Sequence, residues 1–227
     1  MQHIPVDPDD ISQNYLIPDQ RRWLEITAVV ITGLGKFLFM DWLDWRFAYI
    51  FSACLFWLIY VVVRYRENPH ILTYWGFTFS NFKETFLLLL PFGVVSVVTF
   101  LITGELLGTN ILSWHILPLL VLYPIWGTIQ QFLMVGLVAG NLREMERVKL
   151  SHPLIIVLNA ILFAIVHFPH VTLAGGTFFL ALAYTFVYLR KKNLFVLGLY
   201  HGWIGAFFFY TILERDSFME VFGKLIE

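Results

Sequence analysis

Two long tracts of this chain carry no charge at all. No Asp, Glu, Lys or Arg occurs between Glu105 and Arg143, or between Lys149 and Arg190. Each tract is longer than the roughly 20 apolar residues that one helix needs to cross a hydrocarbon core. Of the 227 residues, 59% are hydrophobic and only 14% are charged, against about 25% for a soluble domain. Aromatic residues make up 18%, more than the interior of a soluble fold of this size could hide. The fold class expected is therefore all-α, a polytopic membrane bundle of about seven transmembrane helices. The formal net charge of −1 points to no nucleic-acid partner; the expected surroundings are membrane lipid. The lone Cys54 cannot form an internal disulfide and reads as a small buried hydrophobe.

The spans follow from charges and breakers. Span 1 covers about Leu24 to Met40, with Glu25 and Lys36 near its ends, where both can snorkel. Span 2 covers about Phe47 to Val63. Span 3 covers about Phe86 to Gly104, with Pro91 near its start. Leu106 to His115 reads as an interfacial or re-entrant piece, and Ile116 to Ala139 as span 4. The Pro and Gly of HFPHVTLAGG (His167 to Gly176) split the second tract into span 5, about Pro153 to His167, and span 6, about Val171 to Leu189. Span 7 covers about Asn193 to Leu213. The basic loops after spans 2, 4 and 6 share one side with Arg21 and Arg22. The loops after spans 3 and 5 have no Lys or Arg, which puts the N-terminus in the cytoplasm. Arg215 and Lys224 dissent mildly. Asp7, Asp9, Asp10 and Asp19 precede any apolar stretch, unlike a signal peptide. A bacterial inner (plasma) membrane is the expected location.

Polar groups in hydrocarbon are costly and tend to mark function. Gln130 and Gln131 in span 4, His167 at the end of span 5 and His201 in span 7 are the candidates. Their bland readings are interhelical hydrogen bonds worth about 1 kcal/mol, or interfacial histidines. His170 reads as a loop residue. Gly136, Gly140, Gly198, Gly202 and Gly205 read as small residues that let helices approach closely. At about 1.5 Å per residue, Gln130 and His201 lie at similar depths, roughly 13 and 10 Å from the basic side. His167 lies deeper, about 20 Å along span 5, which counts against a tight triad.

The stretch QQFLMVGLVAGNLREM (Gln130 to Met145) resembles the first motif of the CPBP family, Glu-Glu-x-x-x-Arg-Gly followed by an apolar run. These are intramembrane glutamic endopeptidases that include CAAX prenyl proteases, bacteriocin-processing enzymes and abortive-infection-type proteins. LFAIVH (Leu162 to His167) is similar to the family's Phe-x-x-x-His, with Phe163 and His167. NLFVLGLYHGWIG (Asn193 to Gly205) resembles its His-x-x-x-Asn, with His201 in the His place. Arg190 to Leu194 resembles the Arg-x-x-Asn-Leu approach, and WGFTFSNFKET (Trp75 to Thr85) a short loop that precedes the core. The division implied is 1–74, an N-terminal segment with two accessory helices; 75–213, a CPBP-like core; and 214–227, a tail.

The departures are specific. Both glutamates are glutamines, Val135 holds the arginine place and Gly205 the asparagine place. In the family the first Glu is thought to activate water, with the histidines assisting at the oxyanion. An amide oxygen cannot take that proton, and loss of a general base costs about 10²–10⁴ in rate. Glu144 is too far along the helix to stand in, Glu105 faces the opposite side, and Glu25 is the one carboxylate left open. A neutral histidine could serve as base, with Gln130 orienting water or donating to the oxyanion. Zinc on His167, His201 and His170 would lack the usual Glu base, so no metal and no cofactor are expected. The resemblance implies an endopeptidase acting on a membrane-associated peptide or protein through a variant site with His167, His201, Gln130 and Gln131. A pseudoprotease that binds a peptide without cutting it is the alternative. A small channel or transporter is the third reading, with no inverted repeat to support it.

Overall fold

The computed structural model describes residues 17–220. The acidic stretch with Asp7, Asp9 and Asp10, and Lys224 in the tail, lie outside the described residues. Among the described residues seven apolar helices run back and forth: α1 (Asp19–Trp42), α2 (Arg46–Glu67), then after the short α3 (Ile71–Trp75), α4 (Phe82–Leu107), α5 (Ile116–Glu144), α6 (His152–Ile165), α7 (Val171–Arg190) and α8 (Leu194–Thr211). Six are long and apolar enough to cross a bilayer, and α6 is shorter. No strand occurs among the described residues. The apolar side chains that a soluble fold would bury face outward here; Phe47, Phe51 and Ile59 of α2 and Leu106 and Val121 are all exposed. Lipid is the solvent that makes this stable, because each helix satisfies its backbone internally.

Helices α1, α2, α4 and α5 run beyond the expected spans by up to about one and a half turns, toward the charges that flank them. Pro91 consequently sits mid-helix in α4 and not near its start. Of the piece read as Leu106 to His115, Leu106 and Leu107 end α4, and residues 109–115 form no regular helix. They pass across the end of α8, pinned by the Ile111 N–H on the Tyr210 carbonyl (3.0 Å) and the Thr109 hydroxyl on the Thr211 carbonyl (2.6 Å).

The basic residues of the loops gather at one end of the bundle. Arg21 pairs with Glu67 (2.8 Å), Arg143 donates to the Leu189 carbonyl (2.5 Å), Lys192 pairs with Glu144 (2.6 Å), and Lys191 pairs with Glu84. Glu25 does not snorkel, as its position near a span end suggests. It is only 3% exposed, accepting from the Tyr60 hydroxyl and from Asn141 Nδ2 (2.5 Å). Arg22, also buried, donates to Tyr74 Oη (2.8 Å) and Asn141 Oδ1 (3.1 Å). Opposite charges with shared hydrogen bonds make burial tolerable where either alone would not be. In the loop outside the spans, burial pushes the Lys192 ammonium below its usual range against the pull of Glu144.

The loop before α4 positions α8. Gly76, with φ +96°, turns the chain so that its carbonyl accepts the Leu194 N–H at 2.8 Å. Asn193, wholly buried, caps α8 by accepting from the Val196 N–H (3.0 Å) while donating to Thr78 O and Asn81 Oδ1.

Candidate active site

The packing of α5 against α8 fixes the first half of the site. An added Cβ on Gly202 would lie 2.5 Å from Pro124 Cδ and 2.6 Å from the Tyr123 carbonyl carbon; on Gly198 it would lie 2.6 Å from Thr128 Cα. The two helices therefore meet backbone to backbone. Of the five glycines expected to serve close approach, Gly198 and Gly202 do so. A Cβ on Gly136 would press on the Phe132 ring of its own helix at 3.2 Å, one on Gly140 would meet Tyr188 and the Val135 carbonyl at 3.4 Å, and Gly205 faces open space.

This approach brings Gln131 and His201 together. Gln131 is 1% exposed, and its Nε2 lies 2.9 Å from His201 Nδ1. With the amide nitrogen donating, Nδ1 is the acceptor and the neutral ring carries its proton on Nε2. Gln131 Oε1 is buried without a partner. Turning the amide over would instead bury an NH₂ group with two unmet donors, the costlier choice.

His167 follows the end of α6, in the turn that leads to α7. Its Nδ1 lies 2.7 Å from the Phe163 carbonyl, which can only accept, so Nδ1 carries the proton and Nε2 keeps a lone pair. Phe163 packs edge-on to the His167 ring, centroids 4.8 Å apart, and its other side meets His201 at 5.9 Å. His167 forms no hydrogen bond with Gln130, Gln131 or His201, so the tight triad is absent. The depth mismatch is nonetheless bridged, because α6 ends at Ile165 and the turn folds His167 back over the cavity.

Two adjoining chambers meet at these residues. An inner one of about 560 Å³ is bordered by His201, Gly205, Thr177 and Tyr123. An outer one of about 290 Å³, almost wholly apolar, lies between α1, α2, α5 and α6 and is bordered by Val29, Cys54 and Trp57. Gln130, His167, Trp126 and Ile50 border both. Gln130 thus stands at the junction, and its amide bonds no other described residue. No Asp or Glu borders either chamber among the described residues. Glu25 is held by Tyr60 and Asn141, ten residues or about 15 Å along α5 from Gln131, and Glu144 sits in the basic end with Lys192. Neither carboxylate can serve the junction. No three His, Cys, Asp or Glu side chains converge as metal ligands among the described residues, and His170 borders neither chamber.

Val135, in the arginine place, is fully buried in the apolar core, where an unpaired guanidinium would be costly. It lies in a stretch of π-helical turns, Phe132–Ala139, that begins directly after the Gln pair. Such turns recur at functional sites, because the extra residue per turn re-aims side chains. Lys36, Trp126 and Ile50 also border the site. Of these, only Lys36 had a signal in the sequence, as one of the two charges in span 1, near its end.

Residues 112–207 match the family model described as type II CAAX prenyl endopeptidase Rce1-like. No curated protein and no solved structure matches the chain.

Proposed function

Since residues 112–207 match the family model described as type II CAAX prenyl endopeptidase Rce1-like, we propose that this chain is an intramembrane endopeptidase of that kind that has exchanged its carboxylate base for a histidine. The observation that carries the reading is the complementary state of the two rings over one cavity. His167 Nε2 keeps a lone pair, while His201 Nε2, with Nδ1 engaged by Gln131, offers a proton. A base needs the first and an oxyanion needs the second.

In this scheme a peptide of a membrane-associated protein enters the inner chamber, with an apolar portion available to the outer one. Gln130 orients a water between itself and His167. His167 Nε2 takes a proton from that water as its oxygen attacks the carbonyl carbon. The carbonyl oxygen becomes an oxyanion and accepts from His201 Nε2–H, a donor of the kind worth about 10²–10³ in rate. His167 then returns its proton to the departing amine as the C–N bond breaks. Imidazole can accept a proton near neutral pH, but no carboxylate supports it here, so turnover is slow. The excess of Lys and Arg at the basic end of the bundle supports placing that end in the cytoplasm, and a bacterial inner membrane is the proposed location.

One observation favours a second reading, a pseudoprotease that binds a peptide without cutting it: no carboxylate borders either chamber among the described residues. The paired substitution Gln130→Glu with Gln131→Glu separates the two. On reconstituted protein with a library of membrane peptides, the variant-protease reading expects cleavage by the natural chain and its loss in the pair. The carboxylate introduced by Gln131→Glu would accept from His201 Nδ1–H and leave Nε2 without its proton. Cleavage that appears only in the pair would show a disarmed scaffold instead.

A further inference from the structure

The turn that carries His167 is held from outside the family match. Residues 166–170 are short of regular structure and are held by backbone bonds to their own neighbours, among them His167 N–H to Ala164 O (3.0 Å), Phe168 N–H to Ile165 O (3.1 Å), His170 N–H to His167 O (3.2 Å) and Ala174 N–H to His170 O (2.8 Å). One side chain from another helix bonds this turn among the described residues: Lys36 of α1, whose Nζ donates to the Phe168 carbonyl at 2.6 Å. The ammonium is kept in place by Asp41, 2.9 Å away, and by the Phe37 ring, 4.7 Å from its centre. One helical turn earlier, Gly33 packs so closely on the turn that an added Cβ would lie 2.8 Å from Val166 Cγ1. Lys36 and His167 both border the outer chamber. A lysine that only snorkelled would leave the bundle for water; this one turns inward to a backbone carbonyl next to a site histidine.

We propose that Lys36 is a positioning residue for His167, and that through it the α1–α2 pair sets the geometry of a site whose motifs all lie elsewhere in the chain. The proposal rests on the reading of His167 as a site residue. A charge-assisted bond to the Phe168 carbonyl fixes the backbone one residue from His167. The His167 Nδ1–H bond to the Phe163 carbonyl then fixes the ring beside the cavities that Gln130 also borders. Without the ammonium, the turn keeps only its own weak bonds and the ring samples other orientations.

The test reads His167 directly and needs no substrate, so it stands whether or not the chain proves to be a peptidase. The protein is placed in lipid nanodiscs, and hydrogen–deuterium exchange at the imidazole C2 position is followed for each histidine by mass spectrometry. Lys36→Met, which keeps the length of the side chain, is expected to speed exchange at His167 several-fold. His115, on Asp216, serves as the control and stays unchanged. Lys36→Arg, which keeps a cationic donor, is expected to restore most of the natural rate. A general loosening would move both histidines and would not be rescued by arginine. A folded Lys36→Met protein with His167 exchanging at the natural rate overturns the proposal. If Lys36→Met does not assemble, Asp41→Asn decides. It removes the carboxylate that keeps the ammonium in place, so His167 should exchange faster while His115 stays unchanged. A His167 rate equal to that of the natural chain there would overturn the proposal.

Discussion

Replacing Gly202 by alanine adds one methyl group where α8 touches α5. That methyl would sit 2.5 Å from Pro124 Cδ and 2.6 Å from the Tyr123 carbonyl carbon. Apolar carbon atoms rest at about 3.5–4.0 Å, so the helices must part by about 1 Å. Neither obstacle is a flexible side-chain end; one is a proline ring and the other is backbone. A gap of this size forfeits a quarter to a half of the contact energy around it, and overpacking of this kind costs about 1–3 kcal/mol. The site suffers as well. The Gln131–His201 bond spans the same two helices at 2.9 Å, and an added 1 Å takes it beyond hydrogen-bonding distance. Gly205→Ala supplies the control on the same helix, because a Cβ there meets nothing within 4 Å. Reversible unfolding in mixed micelles by increasing SDS would measure both variants. We expect Gly202→Ala to lose about 2–3 kcal/mol and Gly205→Ala to stay within about 0.5 kcal/mol of the natural chain. Equal stability of the two would refute the backbone-to-backbone contact, and with it the placement of Gln131 on His201.

Further outcomes follow from the same geometry. Gly205→Asn should fold normally, because the position opens on the inner chamber, and a melt matching the natural chain checks it. Glu25→Ala, which removes the buried carboxylate beside Arg64 and Asn141, should cost about 3 kcal/mol or more; the same SDS titration reads this. Asn193→Ala removes a helix cap and two further bonds, and should cost about 2 kcal/mol while leaving histidine exchange at His115 unchanged. Asp216 lies outside the spans. Burial alone would raise its carboxyl, but bonds from His115 and Tyr210 hold it below the usual value of 3.8. The carboxylate therefore contributes stability above that value and loses it as pH falls through the lower folded-state value. Acid melts from pH 6 to pH 3 should show this loss in the natural chain and not in Asp216→Asn.

The helices were legible because charge and apolar length are one-dimensional signals. Arg46 and Arg64 close the charge-free run read as span 2, and α2 starts at Arg46 and runs about one turn past Arg64, to Glu67. Gly198 and Gly202 could be read as contact glycines, because a four-residue spacing puts them on one helix face; whether Gly205 met a neighbour depended on where α7 stood, which no spacing records. The inward turn of Glu25 was not legible either. Its partners Tyr60 and Asn141 are 35 and 116 positions away, and only the bundle brings them together. The four candidate residues stood out as polar groups in apolar spans, and the motifs placed them in order. Which ring would keep a lone pair at Nε2 and which a proton there depended on single bonds, to Phe163 and to Gln131, that only the fold supplies. The inward turn of Lys36 is hidden for a related reason: a lysine near a span end has a cheap route to water, and nothing nearby in sequence shows that Phe168 O lies closer.

Whether the Gln-Gln site cuts peptide bonds is best tested by comparing membrane-protein N- and C-termini in native cells that carry either the natural chain or its His201→Ala variant. A histidine-based endopeptidase produces a small set of termini that is lost in the variant and is restored by the natural chain, while membrane insertion of the two proteins is equal. An unchanged set of termini, with the variant folded and inserted, would contradict that enzyme and leave the peptide-binding pseudoprotease in its place.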